Sequence, residues 1–251
     1  MSLFDLTGRW AIVTGANTGI GQAIAVGMAT AGADIVGVGR SAMDDTANAV
    51  TSTGRRFVSL NADLADTKEA RAVVERALAA GASPDILVNN AGIIRRADAL
   101  EFTEEDWDAV LDTNLKSVFF LCQAFAKAAL VGQKPAKIIN IASLLSFQGG
   151  IRIPSYTASK SGLAGITRLM ANEWASKGIN VNAIAPGYVE TNNTKALRAD
   201  VERSADILKR IPAARWAKAE DMVGAAVYLA SHASDYVHGV VLPVDGGWLA
   251  R

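Results

Sequence analysis

Tyr156 and Lys160 lie four residues apart in the run Ser155-Tyr156-Thr157-Ala158-Ser159-Lys160. On a helix that spacing puts both side chains on one face. A phenol with its ordinary pKa of about 10 is a poor base near neutrality. A neighbouring ammonium favours the phenolate. Such a pair can take a proton from an alcohol or return one to a ketone oxygen. Ser143 ends the apolar run Ile138-Ile139-Asn140-Ile141-Ala142. Its hydroxyl can donate to the same oxygen while negative charge develops there. Asn114 sits in Val110-Leu111-Asp112-Thr113-Asn114-Leu115, where a buried amide needs a partner. The plainer alternatives are a serine that caps the backbone and an asparagine that bonds to it.

A second chemistry-bearing stretch lies near the start, Thr14-Gly15-Ala16-Asn17-Thr18-Gly19-Ile20-Gly21. Its glycines allow a tight turn, a close approach to a pyrophosphate, and packing of the following helix against a sheet. The helix start then offers unpaired N–H groups to phosphate oxygens. A simple tight turn is the alternative. Near the end of the second strand, NAD enzymes carry an acidic residue for the ribose hydroxyls. This chain has Gly39-Arg40-Ser41 there. Arg40 is suited to stacking on adenine and pairing with a 2′-phosphate, which leans toward NADP. The glycine turn lacks a second basic residue, and Arg40 also reads as a solvated strand-end cation. The cofactor is therefore NAD or NADP.

These residues need a scaffold, and the rest of the chain supplies its pattern. Apolar runs at 10–14, 34–38, 56–60, 86–89, 137–142, 180–184 and 240–244 read as strands. Helical stretches fall near 19–30, 66–80, 103–130, 157–176 and 219–230. The strand runs are nearly continuous in apolar residues, as a parallel sheet covered on both faces requires. The expectation is an α/β fold, a Rossmann-type doubly wound parallel sheet, in a single domain over 1–251. Basic and acidic residues cancel at 25 each, which argues against nucleic-acid binding. The single cysteine, Cys122, excludes a disulfide framework and fits a reducing cytoplasm. No signal peptide is read at Met1-Ser2-Leu3-Phe4-Asp5, and no apolar stretch reaches membrane-span length without polar interruption. His232 and His238 lack companions for a metal, so none is expected.

The glycine spacing is G-x-x-x-G-x-G rather than G-x-G-x-x-G, and it resembles that of the short-chain dehydrogenase/reductase family. Asn89-Asn90-Ala91-Gly92 is similar to that family's N-N-A-G segment, and Pro186-Gly187 with Thr191 to its P-G-x-x-x-T segment. Asn114, Ser143, Tyr156 and Lys160 match its catalytic tetrad in order and approximate spacing. Five matches in the correct order are highly specific, although each alone is common. The resemblance implies cofactor contacts at Gly15, Asn17, Thr18, Gly19, Ile20, Gly21, Asn90, Ala91 and Gly92. Further contacts are implied at Asp63 and Leu64, and at Pro186, Gly187, Val189 and Thr191. It also implies that Lys160 holds the nicotinamide ribose and that Asn114 holds a proton-relaying water. A mobile substrate lid over 191–216 and a homotetramer with helices 103–130 and 154–176 at one interface complete the implied picture.

Within that family the local wording is similar to dehydrogenases of deoxy sugar acids, 2-deoxy-D-gluconate or 2-dehydro-3-deoxy-D-gluconate. A 3-oxoacyl-carrier-protein reductase is the alternative. From other classes stand a nucleotide-sensing protein without chemistry, against which the intact tetrad argues, and a sugar-nucleotide epimerase, which generally needs a further domain. A sugar acid brings a carboxylate that must be paired when desolvated. Arg95, Arg96 and Arg152 are the candidates for pairing it. Gln148, Tyr188 and Trp248 are the candidates for contacting its hydroxyls.

Overall fold

The buried apolar runs form strands because each is covered on both faces. The computed structural model describes residues 3–251. The strands are β1 Trp10–Thr14, β2 Asp34–Gly39, β3 Phe57–Asn61, β4 Ile86–Asn89, β5 Ala136–Ile141, β6 Ile179–Pro186 and β7 Val241–Val244. They join in one sheet of order β3-β2-β1-β4-β5-β6-β7, and every pairing is parallel. All residues of β1, β2, β4, β5 and β6 are buried, which accounts for their unbroken apolar wording.

Parallel strands need crossovers, and helices supply them. Those described first are α1 Gly19–Thr30, α2 Asp44–Ser52, α3 Thr67–Ala79, α4 Glu104–Leu111, α5 Ser117–Val131 and α6 Pro154–Trp174. α7 Lys195–Ala199, α8 Val201–Arg210 and α9 Val223–Ala230 follow. One face of the sheet buries Val73, Leu121, Phe125 and Leu163 from α3, α5 and α6. The other buries Ile24, Met28 and Leu229 from α1 and α9. Strand order reverses between β1 and β4. In such sheets ligands lie at that reversal, beyond the carboxyl ends of the strands.

The structure departs from the sequence expectations in two places. Helix α2 was not among the expected helices; it is short and polar, with only Thr46 and Val50 buried. The expected helix over 103–130 is broken by a π-helical turn, Asp112–Lys116, between α4 and α5. One inserted residue per turn of this kind is not visible in hydrophobic periodicity. The stretch Glu104–Val131 is, by length and composition, apolar enough to cross a membrane, although Asp112, Asn114 and Lys116 interrupt it. Here it lies against the sheet, with Leu121, Cys122 and Phe125 buried. The N-terminal reading rests partly on Met1 and Ser2, which lie outside the described residues.

Candidate active site

The glycine turn after β1 is shaped by close packing. Gly15 and Gly19 have φ of +66° and +57°, a backbone that favours glycine. A Cβ on Gly21 would stand 2.2 Å from the Gly15 carbonyl oxygen and 2.4 Å from Asn90 Nδ2. Gly21 therefore does not line the cavity; it lets α1 press against the turn. Thr14 Oγ1 accepts the N–H groups of Asn90 and Ala91, each at 3.0 Å, and Asn90 Nδ2 donates to the Thr14 carbonyl at 2.9 Å. These bonds lock the segment after β4 onto the glycine turn. Thr18 precedes α1 without a side-chain cap, so the first N–H groups of that helix are left for an anion.

A cavity of about 780 Å³ runs from this turn to the reacting residues. Gly15, Asn17, Thr18, Gly19, Ile20 and Arg40 line its phosphate end. Asn90, Ala91 and Gly92 form one wall, and Pro186, Gly187, Val189 and Thr191 the opposite one. Ser143, Tyr156 and Lys160 close the far end. A contiguous cavity of about 480 Å³ is lined by Gly39, Arg40, Ser41, Asp63 and Leu64, as an adenosine half requires. Asn17 Nδ2 donates to Ser41 Oγ at 2.9 Å, tying the glycine turn to the end of β2. Arg40 is exposed and 4.0 Å from an oxygen of Asp63. The residues present fit a dinucleotide: glycines where a side chain would collide, free helix N–H groups, and two joined compartments.

At the reacting end, Pro154 opens α6 and places Tyr156 and Lys160 on its cavity side. Lys160 Nζ lies 5.6 Å from the Tyr156 ring centre and donates to the Ile141 carbonyl at 2.6 Å. The lysine is only 4% exposed, and burial lowers its pKa to about 8. It therefore stays mostly protonated at neutral pH. Burial raises the Tyr156 phenol above its ordinary value, while hydrogen bonding to Ser143 and the charge of Arg96 oppose that rise. Ser143 follows β5, and its Oγ accepts the Leu145 N–H at 3.2 Å.

Asn114 occupies the π-helical turn and is buried. Its amide is committed to backbone: Oδ1 accepts the Ile93 N–H and Nδ2 donates to the Ile93 carbonyl, both at 2.9 Å. A further Nδ2 contact reaches Ser159 Oγ at 3.4 Å. The side chain thus holds the Gly92–Ile93 wall rather than entering the cavity.

The six candidates for substrate contacts are placed unevenly. Arg95 lines the cavity and pairs with Asp106 at 3.0 Å. Arg96 donates to the Asn193 carbonyl at 2.9 Å and acts on Tyr156 through its charge. Arg152 does not line the cavity; it is exposed and lies 3.4 Å from Asp98. Gln148, Tyr188 and Trp248 are likewise outside its lining. Trp248 Nε1 donates to Gln148 Oε1 at 3.1 Å, and the Tyr188 and Trp248 rings pack at 4.8 Å. Burial also raises the Tyr188 phenol. These three brace the segment expected to be a lid. That segment contains α7 and α8, and its Ile207, Ile211 and Trp216 pack with Leu144 and Trp248. Aromatic residues read as sugar contacts serve as packing because Ile207 and Ile211 give them an apolar partner surface.

Sequence reasoning missed Thr14, Ser41, Ile93, Ile94 and Arg198. Thr14 and Ser41 flank positions already singled out, and their hydroxyls were available to glycine-turn contacts. Ile93 and Ile94 follow the Asn89–Gly92 segment and line the cavity as its apolar wall. Arg198 reaches the cavity from α7, and nothing in its local wording signals that.

Comparison with known proteins agrees with this geometry. A family model described as enoyl-(acyl carrier protein) reductase matches residues 15–249. A 2-dehydro-3-deoxy-D-gluconate 5-dehydrogenase from Escherichia coli is 60% identical over 251 residues, covering 100% of this chain and 99% of the relative. The crystal structure of a candidate 2-deoxy-D-gluconate 3-dehydrogenase from Agrobacterium tumefaciens, with bound NADP, is 60% identical. It superposes with a TM-score of 0.95, covering 100% of each chain. A gluconate 5-dehydrogenase from Burkholderia cenocepacia, in complex with NADP and tartrate, is 39% identical with a TM-score of 0.94. That match covers 99% of this chain and 98% of the other.

Proposed function

Because the chain belongs to the short-chain dehydrogenase/reductase family, we propose that it interconverts a secondary alcohol and a ketone on a deoxy sugar acid. 2-Dehydro-3-deoxy-D-gluconate is the leading substrate. One observation carries the reading: the glycine turn and the Ser143–Tyr156–Lys160 set face one continuous cavity. The relatives named for this chemistry span the whole chain.

The glycine turn and the walls of the cavity would hold NAD or NADP, which would supply hydride-transfer chemistry at the Tyr156 end. In oxidation, the Tyr156 phenolate takes the hydroxyl proton; in reduction, the phenol returns it to the ketone oxygen. Lys160 stabilises the phenolate by its charge. Ser143 donates to the oxygen on which charge accumulates. Its location beside the phenol fits that role, since hydrogen bonding to Ser143 opposes the rise that burial imposes on the Tyr156 pKa. Asn114 keeps the Gly92–Ile93 wall in register through its paired amide. Ile93 and Ile94 keep that end of the cavity apolar and strengthen these charge interactions.

The sugar-acid reading draws on the relatives' names and on cationic side chains near the reacting end. Arg95 lines the cavity, and Arg96 acts electrostatically on Tyr156. An acyl-chain substrate has no carboxylate near its reacting carbon. The test is a panel of sugar acids and a 3-oxoacyl thioester, followed by absorbance of the reduced nucleotide with both NAD(H) and NADP(H). Turnover of the thioester with none of the acids would overturn the substrate assignment.

Cytoplasmic residence and a homotetramer belong to the same proposal. The lone buried thiol Cys122 supports the first. Partly exposed Trp107 on α4 and Leu169 on α6 support apolar association along those helices. A monomeric mass by light scattering would exclude the tetramer.

A further inference from the structure

We propose that Arg198, on α7, clamps the cofactor's diphosphate. The cations near the cavity differ in what already holds them. Arg95 is paired with Asp106, Arg40 faces Asp63, and Arg152 is paired with Asp98. Arg96 donates to the Asn193 carbonyl at 2.9 Å. Arg198 lines the cavity, forms no ion pair among the described residues, and makes only a 3.4 Å bond to the Thr191 carbonyl. A guanidinium left without a carboxylate in a cavity wall is suited to an incoming anion.

The position selects which anion. The Thr191 carbonyl that holds Arg198 belongs to a residue packed against the glycine turn. A Cβ on Gly19 would lie 3.5 Å from Thr191 Cγ2. Gly19 is also the first residue of α1, whose initial N–H groups carry no side-chain cap. Arg198 is thus tethered beside the helix start that receives phosphate oxygens, while Ser143 and Tyr156 lie at the other end of the cavity. A diphosphate placed there meets backbone N–H groups from α1 and a planar guanidinium from α7. The donors at the start of α1 belong to the glycine turn, whereas Arg198 is exposed on α7.

The experiment compares Arg198→Ala and Arg198→Lys with the unaltered chain, using quenching of tryptophan fluorescence to measure dissociation constants. NADPH, NADH and adenosine 2′-phosphate are titrated without any substrate. Arg198→Ala should weaken NADPH and NADH by a similar factor of about tenfold, because both carry the diphosphate. It should leave adenosine 2′-phosphate unchanged, and Arg198→Lys should recover part of the loss. Trypsin cleavage within 195–210 should be slowed by NADPH in the unaltered chain and not in Arg198→Ala. An effect on NADPH alone would assign Arg198 to the 2′-phosphate and overturn the proposal. Unchanged nucleotide affinity with a raised KM for the sugar acid would assign it to the substrate carboxylate and overturn it equally. Equal thermal midpoints of the nucleotide-free proteins establish that the variants are folded. Absence of nucleotide binding by the unaltered chain would remove both this proposal and the oxidoreductase assignment.

Discussion

Lys160 and Arg152 are both cations near the reacting residues, and the fold treats them in opposite ways. Lys160 is 4% exposed, anchored by the Ile141 carbonyl and carried by a helix of 21 residues. Arg152 is exposed, stands on a backbone with φ of +63°, and turns outward to Asp98. The first is positioned by β5 and α6, which cannot shift without disturbing the core. The second is positioned by a loop and a solvent-screened ion pair, a contact of small value. Chemistry that needs a fixed proton path sits on the rigid side of the cavity. Recognition of a particular substrate falls to the adaptable rim.

The sharpest way to test this contrast is to remove single atoms from the rigid side. Tyr156→Phe should reduce turnover by about 10²–10⁴-fold while leaving nucleotide affinity within about twofold, since only the proton-transferring hydroxyl is lost. Steady-state rates alongside fluorescence titration of NADPH check it. A variant within tenfold of the unaltered rate would mean that another group transfers the proton.

Lys160 should give the next largest effect, and on two readouts. Lys160→Met should lose both turnover and nucleotide affinity if the ammonium stabilises the phenolate and holds the ribose. Its burial has a separate signature. The folded pKa is about 8 against an ordinary 10.5, so the unfolded chain holds more protons between those values. Stability therefore rises with pH across that window, because the cost of burying the charge is relieved as the lysine deprotonates. Below about pH 8 that cost is present in full. The unaltered chain should gain on the order of 2 kcal/mol relative to Lys160→Met between pH 8 and pH 10, by denaturant unfolding. Equal slopes for the two proteins would show that the ammonium is not buried.

The same division governs what was legible in the sequence. Tyr156, Lys160 and Ser143 could be placed because strand and helix periodicity fix where their side chains point. The glycines could be placed because only glycine satisfies the Gly15 and Gly19 backbone and the Gly21 contact. Asn114 was located but its partner was not, since a π-helical turn changes the direction of a side chain without altering the apolar pattern. Tyr188, Gln148 and Trp248 are candidates for contacting substrate hydroxyls by sequence, yet in the fold they engage one another. Their engagement with one another depends on Ile207 and Ile211, at the end of α8, approaching from across the chain. Arg198 stayed hidden for the same reason: its placement depends on how α7 folds back onto the cavity.

At the border between the two regions stands Arg40, fixed by β2 yet exposed. Arg40→Asp should raise the ratio of NAD to NADP efficiency by more than tenfold if the guanidinium pairs with a 2′-phosphate. Its 4.0 Å approach to Asp63 makes that acid a competitor for the same charge. Asp63→Asn should accordingly tighten NADPH relative to NADH. A chain that already prefers NAD strongly would remove the 2′-phosphate contact.

The smallest effects belong to the rim, and their order is what matters. A carboxylate drawn into the cavity gains most from a guanidinium that is already there. Arg95 lines the wall but must share its charge with Asp106. Arg96 acts on the Tyr156 phenol, so a bound carboxylate near it would also reduce its pull on that proton. Arg152 has neither position. Arg95→Ala and Arg96→Ala should each raise KM for 2-dehydro-3-deoxy-D-gluconate by about tenfold, the loss expected for a charge-assisted pair of roughly 1.5–3 kcal/mol reduced by competition. For the corresponding amide, both KM values should move by less than threefold. Arg152→Ala should shift neither by more than about twofold, because exposed pairs contribute little. If Arg152→Ala gives the largest change with the acid, the loop swings inward on substrate binding and the rim is rebuilt rather than preformed. If no arginine separates acid from amide, the carboxylate is not read by this rim, and the sugar acid's hydroxyls must carry its recognition.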